Sequence, residues 1–119
     1  MKILCVDDDA DIATLMDNVL SANGNFVTTC NGGADALTQI QHNDFNLIFL
    51  DLEMPEMSGR DVIDSLSESG IIDLNKIVIL TANDLEEQEQ RKYEKLGIQE
   101  ILQKPMSLDG ILETVKKFE

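Results

Sequence analysis

NLIFLDLEMPEMSGRDVIDSL, residues 46–66, holds the unit from which the fold is read. Asn46 to Leu50 is an apolar run of strand length without alternation, as expected of a strand covered on both faces. Asp51 follows it and Pro55 lies in the loop beyond. Val62, Ile63 and Leu66 then recur at helical spacing before a stop at Gly70. A doubly covered strand that runs into an amphipathic helix is half of a parallel crossover unit.

The same couplet recurs in both directions from this stretch. Further strands are expected at Ile3 to Val6, Phe26 to Cys30, Ile77 to Leu80 and Glu100 to Gln103, the run at Ile77 again covered on both faces. Ile12, Leu15, Met16, Val19 and Leu20 mark a first helix stopped by Asn23-Gly24; Ala34, Leu37 and Ile40 mark a second, and Ile111, Leu112, Val115 and Phe118 a last one. Between Leu85 and Leu96 only Leu85, Tyr93 and Leu96 interrupt a polar run, which predicts a weakly anchored fourth helix, with Tyr93 its anchoring side chain. Five strand–helix couplets with right-handed crossovers give a doubly wound α/β domain: a five-stranded parallel sheet with helices on both faces. No repeat, linker or low-complexity tract divides residues 1–119, so one domain is expected.

Composition narrows the function classes. Among 119 residues, 23 acidic and 9 basic side chains give a formal charge of −14, a field that repels nucleic acid and anionic lipid. No apolar run approaches a membrane span and no secretory leader is recognisable, so a soluble cytoplasmic protein is expected. Cys5 and Cys30 both lie in strand-like stretches and read as buried reduced thiols.

In open α/β sheets ligands bind beyond the carboxyl ends of the strands. Here those ends deliver Asp7-Asp8-Asp9, Asp51, Thr81-Ala82 and Lys104-Pro105. A single Asp in such a place is usually a turn former or a helix cap, and Asp9 or Asp11 fits that role for the first helix. Asp7, Asp8 and Asp51 together are different if the first and third strands are neighbours. Two carboxylates ~4 Å apart repel by about 1 kcal/mol in water and about 4 kcal/mol at an effective dielectric of 20. Three need a counter-charge, and a few hard oxygen donors favour Mg²⁺. Lys104 adds a point charge and Thr81 a hydroxyl, both suited to phosphoryl oxygens.

Other chemistries lack their parts. The run Asp7, Asp9, Asp11 starts like an EF-hand loop, but its sixth position is Ile12 and its twelfth Asn18. No glycine-rich phosphate loop is present, and the single histidine, His42, in a polar stretch after the second helix, excludes a Ser-His-Asp triad and a zinc site.

ILCVDDD (3–9), FLDLEMPEMSG (49–59), ILTA (79–82) and LQKP (102–105) stand in the order and at the spacing of the response-regulator receiver family, and over nearly its whole length the chain resembles that family, in the manner of chemotaxis-regulator-like two-component receivers. The resemblance implies the flavodoxin-like strand order 2-1-3-4-5. It implies that Asp51 takes a phosphoryl group from a sensor histidine kinase or histidine phosphotransfer protein. Asp8 and Asp51 would hold Mg²⁺ through side chains, Glu53 through its backbone carbonyl and Asp7 through water. Thr81, Ala82, Lys104 and Pro105 would line the phosphate site. Phosphorylation would then switch the face of the fourth helix, fifth strand and fifth helix for a downstream protein target. The protein would catalyse its own modification and its loss, not turnover of a separate substrate. One position departs from the family: three residues before Lys104 an aromatic switch residue is common, and here stands Ile101. Met1 directly before the first strand and Glu119 just past the last helix suit a stand-alone receiver; the alternative is a receiver within a longer regulator or hybrid kinase. An aspartyl-phosphate phosphatase of the haloacid dehalogenase type fits less well, since it wants a second Asp where this chain has Glu53.

Overall fold

A computed structural model describes all 119 residues. Strands β1 (Lys2–Val6), β2 (Phe26–Cys30), β3 (Leu47–Asp51), β4 (Ile77–Thr81) and β5 (Glu100–Gln103) alternate with helices α1 (Ala10–Ala22), α2 (Gly33–His42), α3 (Gly59–Glu68), α4 (Glu87–Leu96) and α5 (Leu108–Lys117). The strands form one parallel sheet in the order β2-β1-β3-β4-β5. The expected fold and strand order are therefore those observed.

The two-sided cover of the central strands divides their residues by parity. Leu4, Val6, Ile48, Leu50, Ile77 and Ile79 pack on one side with Ala36 and Ile40 of α2, Val62, Ile63 and Leu66 of α3, and Tyr93 of α4. Ile3, Cys5, Leu47, Phe49, Val78 and Leu80 pack on the other with Met16 and Leu20 of α1 and Ile111 and Val115 of α5. Successive side chains on a strand point to opposite faces, so uninterrupted apolar strands supply both cores at once.

Local chemistry sets the helix ends. Asp9 caps α1 by accepting from the amides of Asp11 and Ile12, the structural role expected of it. Ser58 and Asp61 form a capping box on α3, and Ser107 caps α5. Asn23 ends α1, and Gly97 ends α4 at φ 91°, a left-handed conformation open to glycine.

Several boundaries differ from those expected. Asn46 lies before β3, not in it, because its side-chain oxygen takes the Lys2 amide at 2.7 Å. Asp51 and Thr81 are the last residues of their strands and not the first beyond them. α4 starts at Glu87, with Leu85 buried in the preceding loop. His42 is the last residue of α2, its ring nitrogen 2.8 Å from the Thr38 carbonyl oxygen. A short 3₁₀ turn at Ile72–Leu74, where no element was expected, seats Ile72 in the core. Both cysteines are buried and free. No helix is long and apolar enough to cross a membrane.

Candidate functional site

β1 and β3 are adjacent, but α1 and α3, which follow them, leave for opposite faces of the sheet, so a crevice opens between their carboxyl ends. Asp7 stands just past β1 and Asp51 closes β3, and the two are 1% and 2% exposed. Asp8 is exposed beside them. Oxygens of Asp7, Asp8 and Asp51 all lie within 4.8 Å of one another.

Each buried carboxylate has one oxygen fixed by the backbone. The Asp9 amide donates to Asp7 Oδ1 at 2.9 Å, and the Glu53 amide donates to Asp51 Oδ1 at 3.1 Å. Lys104 reaches in from the end of β5, where its own amide donates to the Thr81 carbonyl at 2.8 Å. Its Nζ donates to Asp51 Oδ2 at 3.2 Å and sits 2.7 Å from Asp7 Oδ2. Asp7 Oδ2 is buried and has no partner besides this ammonium.

Three carboxylates and one ammonium leave this pocket two charges short of neutrality, and the imbalance registers on Asp51. Burial, then the charge of Asp7, outweigh the Glu53 amide and Lys104 and push the Asp51 carboxyl up to about 6. Burial pulls Lys104 down, but its contacts with Asp7 and Asp51 outweigh this and hold it above its ordinary value. An all-oxygen donor set, a buried Asp7 oxygen whose one contact is the Lys104 ammonium, and a charge deficit fit a small hard divalent cation such as Mg²⁺.

The other sequence-derived candidates surround this pocket. Thr81, 2% exposed, turns its hydroxyl toward the following loop, donating to the Asn83 carbonyl at 3.0 Å and accepting from the Asn83 amide at 3.2 Å. Ala82 and Pro105 are exposed, and the Lys104–Pro105 peptide is cis. Ile101 is half-buried on β5 against the cluster that holds Tyr93. Glu53 is exposed, and its carboxylate accepts from Arg60 Nη1 at 3.0 Å.

Two features escaped the sequence reading. A Cβ on Gly59 would fall 2.1 Å from the Asp51 carbonyl oxygen, so the start of α3 packs against the backbone of Asp51 only because residue 59 has no side chain. The Ser-Gly pair at the head of a helical pattern was the available signal, although it reads equally as a plain helix start. Arg60 also donates from Nε to Glu89 of α4 at 2.8 Å, a contact across 29 residues that no local pattern announces.

A family model described as "Response regulator receiver domain" matches residues 3–116. The chain is 30% identical over 119 residues to the aerobic respiration control sensor protein ArcB of Escherichia coli strain K12, and 33% identical over 115 residues to the sensor histidine kinase RcsC of Salmonella typhi. These matches take in 99% and 97% of the chain but only 15% and 12% of the relatives' length. Among solved structures, the response regulator protein TrrA of Thermotoga maritima in complex with Mg²⁺-BeF matches at a TM-score of 0.79 and 29% identity, covering 99% of this chain and 98% of that one.

Proposed function

The chain belongs to the response-regulator receiver family, and from that premise we propose that Asp51 accepts a phosphoryl group from a phosphohistidine donor, a sensor histidine kinase or a phosphotransfer protein. The observation that carries this reading is the buried Asp51 carboxylate, held at one oxygen by the Glu53 amide and at the other by Lys104.

Each residue has a task in that transfer. An Asp51 oxygen forms the new O–P bond as the P–N bond to the donor imidazole breaks, the electron pair returning to the ring. Only the ionised carboxylate is a nucleophile, so the neighbouring positive charge must keep Asp51 deprotonated. Asp8 and Asp51 would hold Mg²⁺ through their side chains, the Glu53 carbonyl through the backbone and Asp7 through water. The bound ion would supply charge compensation for the phosphoryl oxygens. Lys104 is already seated between Asp7 and Asp51, where a cation offsets charge as it develops on the transferring group. Thr81 reaches a phosphoryl oxygen only by giving up its bonds to Asn83, which ties the site to the loop leading into α4. Partner binding on the α4–β5–α5 face follows as the output, and Ile101 replaces an aromatic ring within that face.

The test is intact-protein mass after incubation with acetyl phosphate. One phosphoryl group should add to the wild type in Mg²⁺, with none added in excess chelator or to Asp51→Ala. Addition to Asp51→Ala would sink the assignment.

A second reading has its own support, since sensor proteins far longer than this chain are among its relatives. On it, these residues act as the receiver of a larger sensor, passing the phosphoryl group onward to a histidine within the same assembly. Loss of the label from phosphorylated protein to an isolated phosphotransfer domain, faster than to water, distinguishes it from an output receiver.

A further inference from the structure

We propose that Arg60 couples the phosphorylation site to α4, by dividing its guanidinium between Glu53 in the β3–α3 loop and Glu89 on α4. The inference rests on the reading of Asp51 as phosphoacceptor and adds a positioning residue that the transfer itself does not require.

Its basis is a continuous run of polar contacts. Asp51 Oδ1 accepts from the Glu53 amide at 3.1 Å, and the Glu53 side chain accepts from Arg60 Nη1 at 3.0 Å. Arg60 Nε donates to Glu89 Oε1 at 2.8 Å, and the Tyr93 hydroxyl donates to that same oxygen at 3.2 Å. Tyr93 is the one buried side chain of α4. The run thus leads from the carboxylate that takes the phosphoryl group to the side chain that seats the helix. Ile101 has no polar atom with which to join it. Burial, then Glu89, push the Tyr93 phenol up to about 12, so it stays a donor. Burial draws Arg60 down, but its bonds to Glu89 and Glu53 hold it above its ordinary value.

The arrangement is poised to break at a defined place. Arg60 is about one-third exposed, as is Glu89, and an ion pair in that setting is weak. Phosphorylation turns the ionised Asp51 carboxylate into an acyl phosphate of about −1.5 to −2, a net gain of up to about one negative charge. The added field draws the guanidinium toward the β3–α3 side, where Glu53 already holds one nitrogen, and away from Glu89. Glu89 then loses its cation, and the Tyr93 hydroxyl remains beside an uncompensated carboxylate. α4 has little else to keep it in place: Lys92 pairs with Asp64 of α3 at 3.3 Å and lies 5.8 Å from the centre of the Tyr93 ring. Two arrangements, bridged and released, are what a switch needs, and phosphorylation favours the second.

The sequence provides the probe, since the chain has one tyrosine and no tryptophan and its near-ultraviolet emission comes from Tyr93. Emission is measured before and after acetyl phosphate and Mg²⁺, with intact mass taken on the same sample and the emission change normalised to phosphoryl occupancy. The wild type should change its emission on modification. Arg60→Gln should show less than half that change, and so should Arg60→Lys, which keeps the charge but loses the planar fork that aims Nη1 at Glu53 and Nε at Glu89. Lys117→Gln removes the ion pair to Glu100, which involves neither α3 nor α4, and should retain the wild-type response. Should Arg60→Gln fail to fold, Glu89→Gln serves in its place. Full response in Arg60→Gln, or an unchanged wild-type emission at high phosphoryl occupancy, overturns the coupling. Absence of any mass gain in the wild type overturns the phosphoacceptor reading beneath it, and the coupling with it.

Discussion

Asp51 and Gly59 show how much of this site depends on single atoms. Gly59→Ala would place a methyl 2.1 Å from the Asp51 carbonyl oxygen, so the β3 backbone or the start of α3 must shift. Overpacking of this kind costs about 1–3 kcal/mol, so the urea midpoint should fall and phosphoryl uptake should slow, since the displaced backbone carries the acceptor. An unchanged midpoint would contradict the close approach. Asp51 itself makes stability depend on pH. Its ordinary value of 3.8 is raised to about 6, chiefly by burial, so the folded metal-free protein grips the proton more tightly than the unfolded chain. The contribution is complete below 3.8 and is lost as pH rises through about 6. Urea midpoints in chelator should therefore decline across that window more steeply in the wild type than in Asp51→Asn. Parallel profiles would show that the carboxyl is not held up. The role of these residues was legible in part: three acids, a threonine and a lysine on strand ends announced a charged pocket. The pairing of Asp7 Oδ2 with Lys104 and the glycine under Asp51 were not, because both depend on contacts between elements distant in the sequence.

α4 has the least to hold it. Only Tyr93 is buried along its ten residues, whereas α3, of equal length, buries Gly59, Val62, Ile63 and Leu66. Amide hydrogens of α4 should exchange well before those of α3 in the native protein, and Tyr93→Leu, which removes the hydroxyl but keeps apolar bulk, should speed α4 while leaving α3 protected. Equal protection of the two helices would count against a thin anchor. The thinness was readable in the sequence because a helix with few apolar residues can bury few. The lengths of the strands were readable for a related reason, since apolar side chains run without a gap where both faces are covered. Boundaries slipped where a side chain competes for the backbone, as at Asn46, and the 3₁₀ turn at Ile72 went unseen because three residues are too short for any period.

Across the whole molecule, two cores on opposite faces of one sheet keep the strands apolar in their interior and charged at their ends. This division explains how a chain of net charge −14 buries so few charged groups, with Asp7 and Asp51 the buried acids and both at one rim. The two thiols lie on neighbouring strands of that sheet but at unequal depth. Cys5 sits on β1, which is flanked by β2 and β3, is wholly inaccessible, and has its thiol pushed up to about 12, first by burial. Cys30 sits on the edge strand β2, where a trace of surface remains, and its thiol too is raised, first by burial. Alkylation under native conditions should add its first adduct at Cys30 and its second, far later, at Cys5. Matched rates would mean that β1 and β2 open together. Reagent reaches Cys30 when an edge frays, but reaches Cys5 only when the sheet itself comes apart. The slow adduct is therefore a clock, and it counts the lifetime of the native state without any label having been introduced.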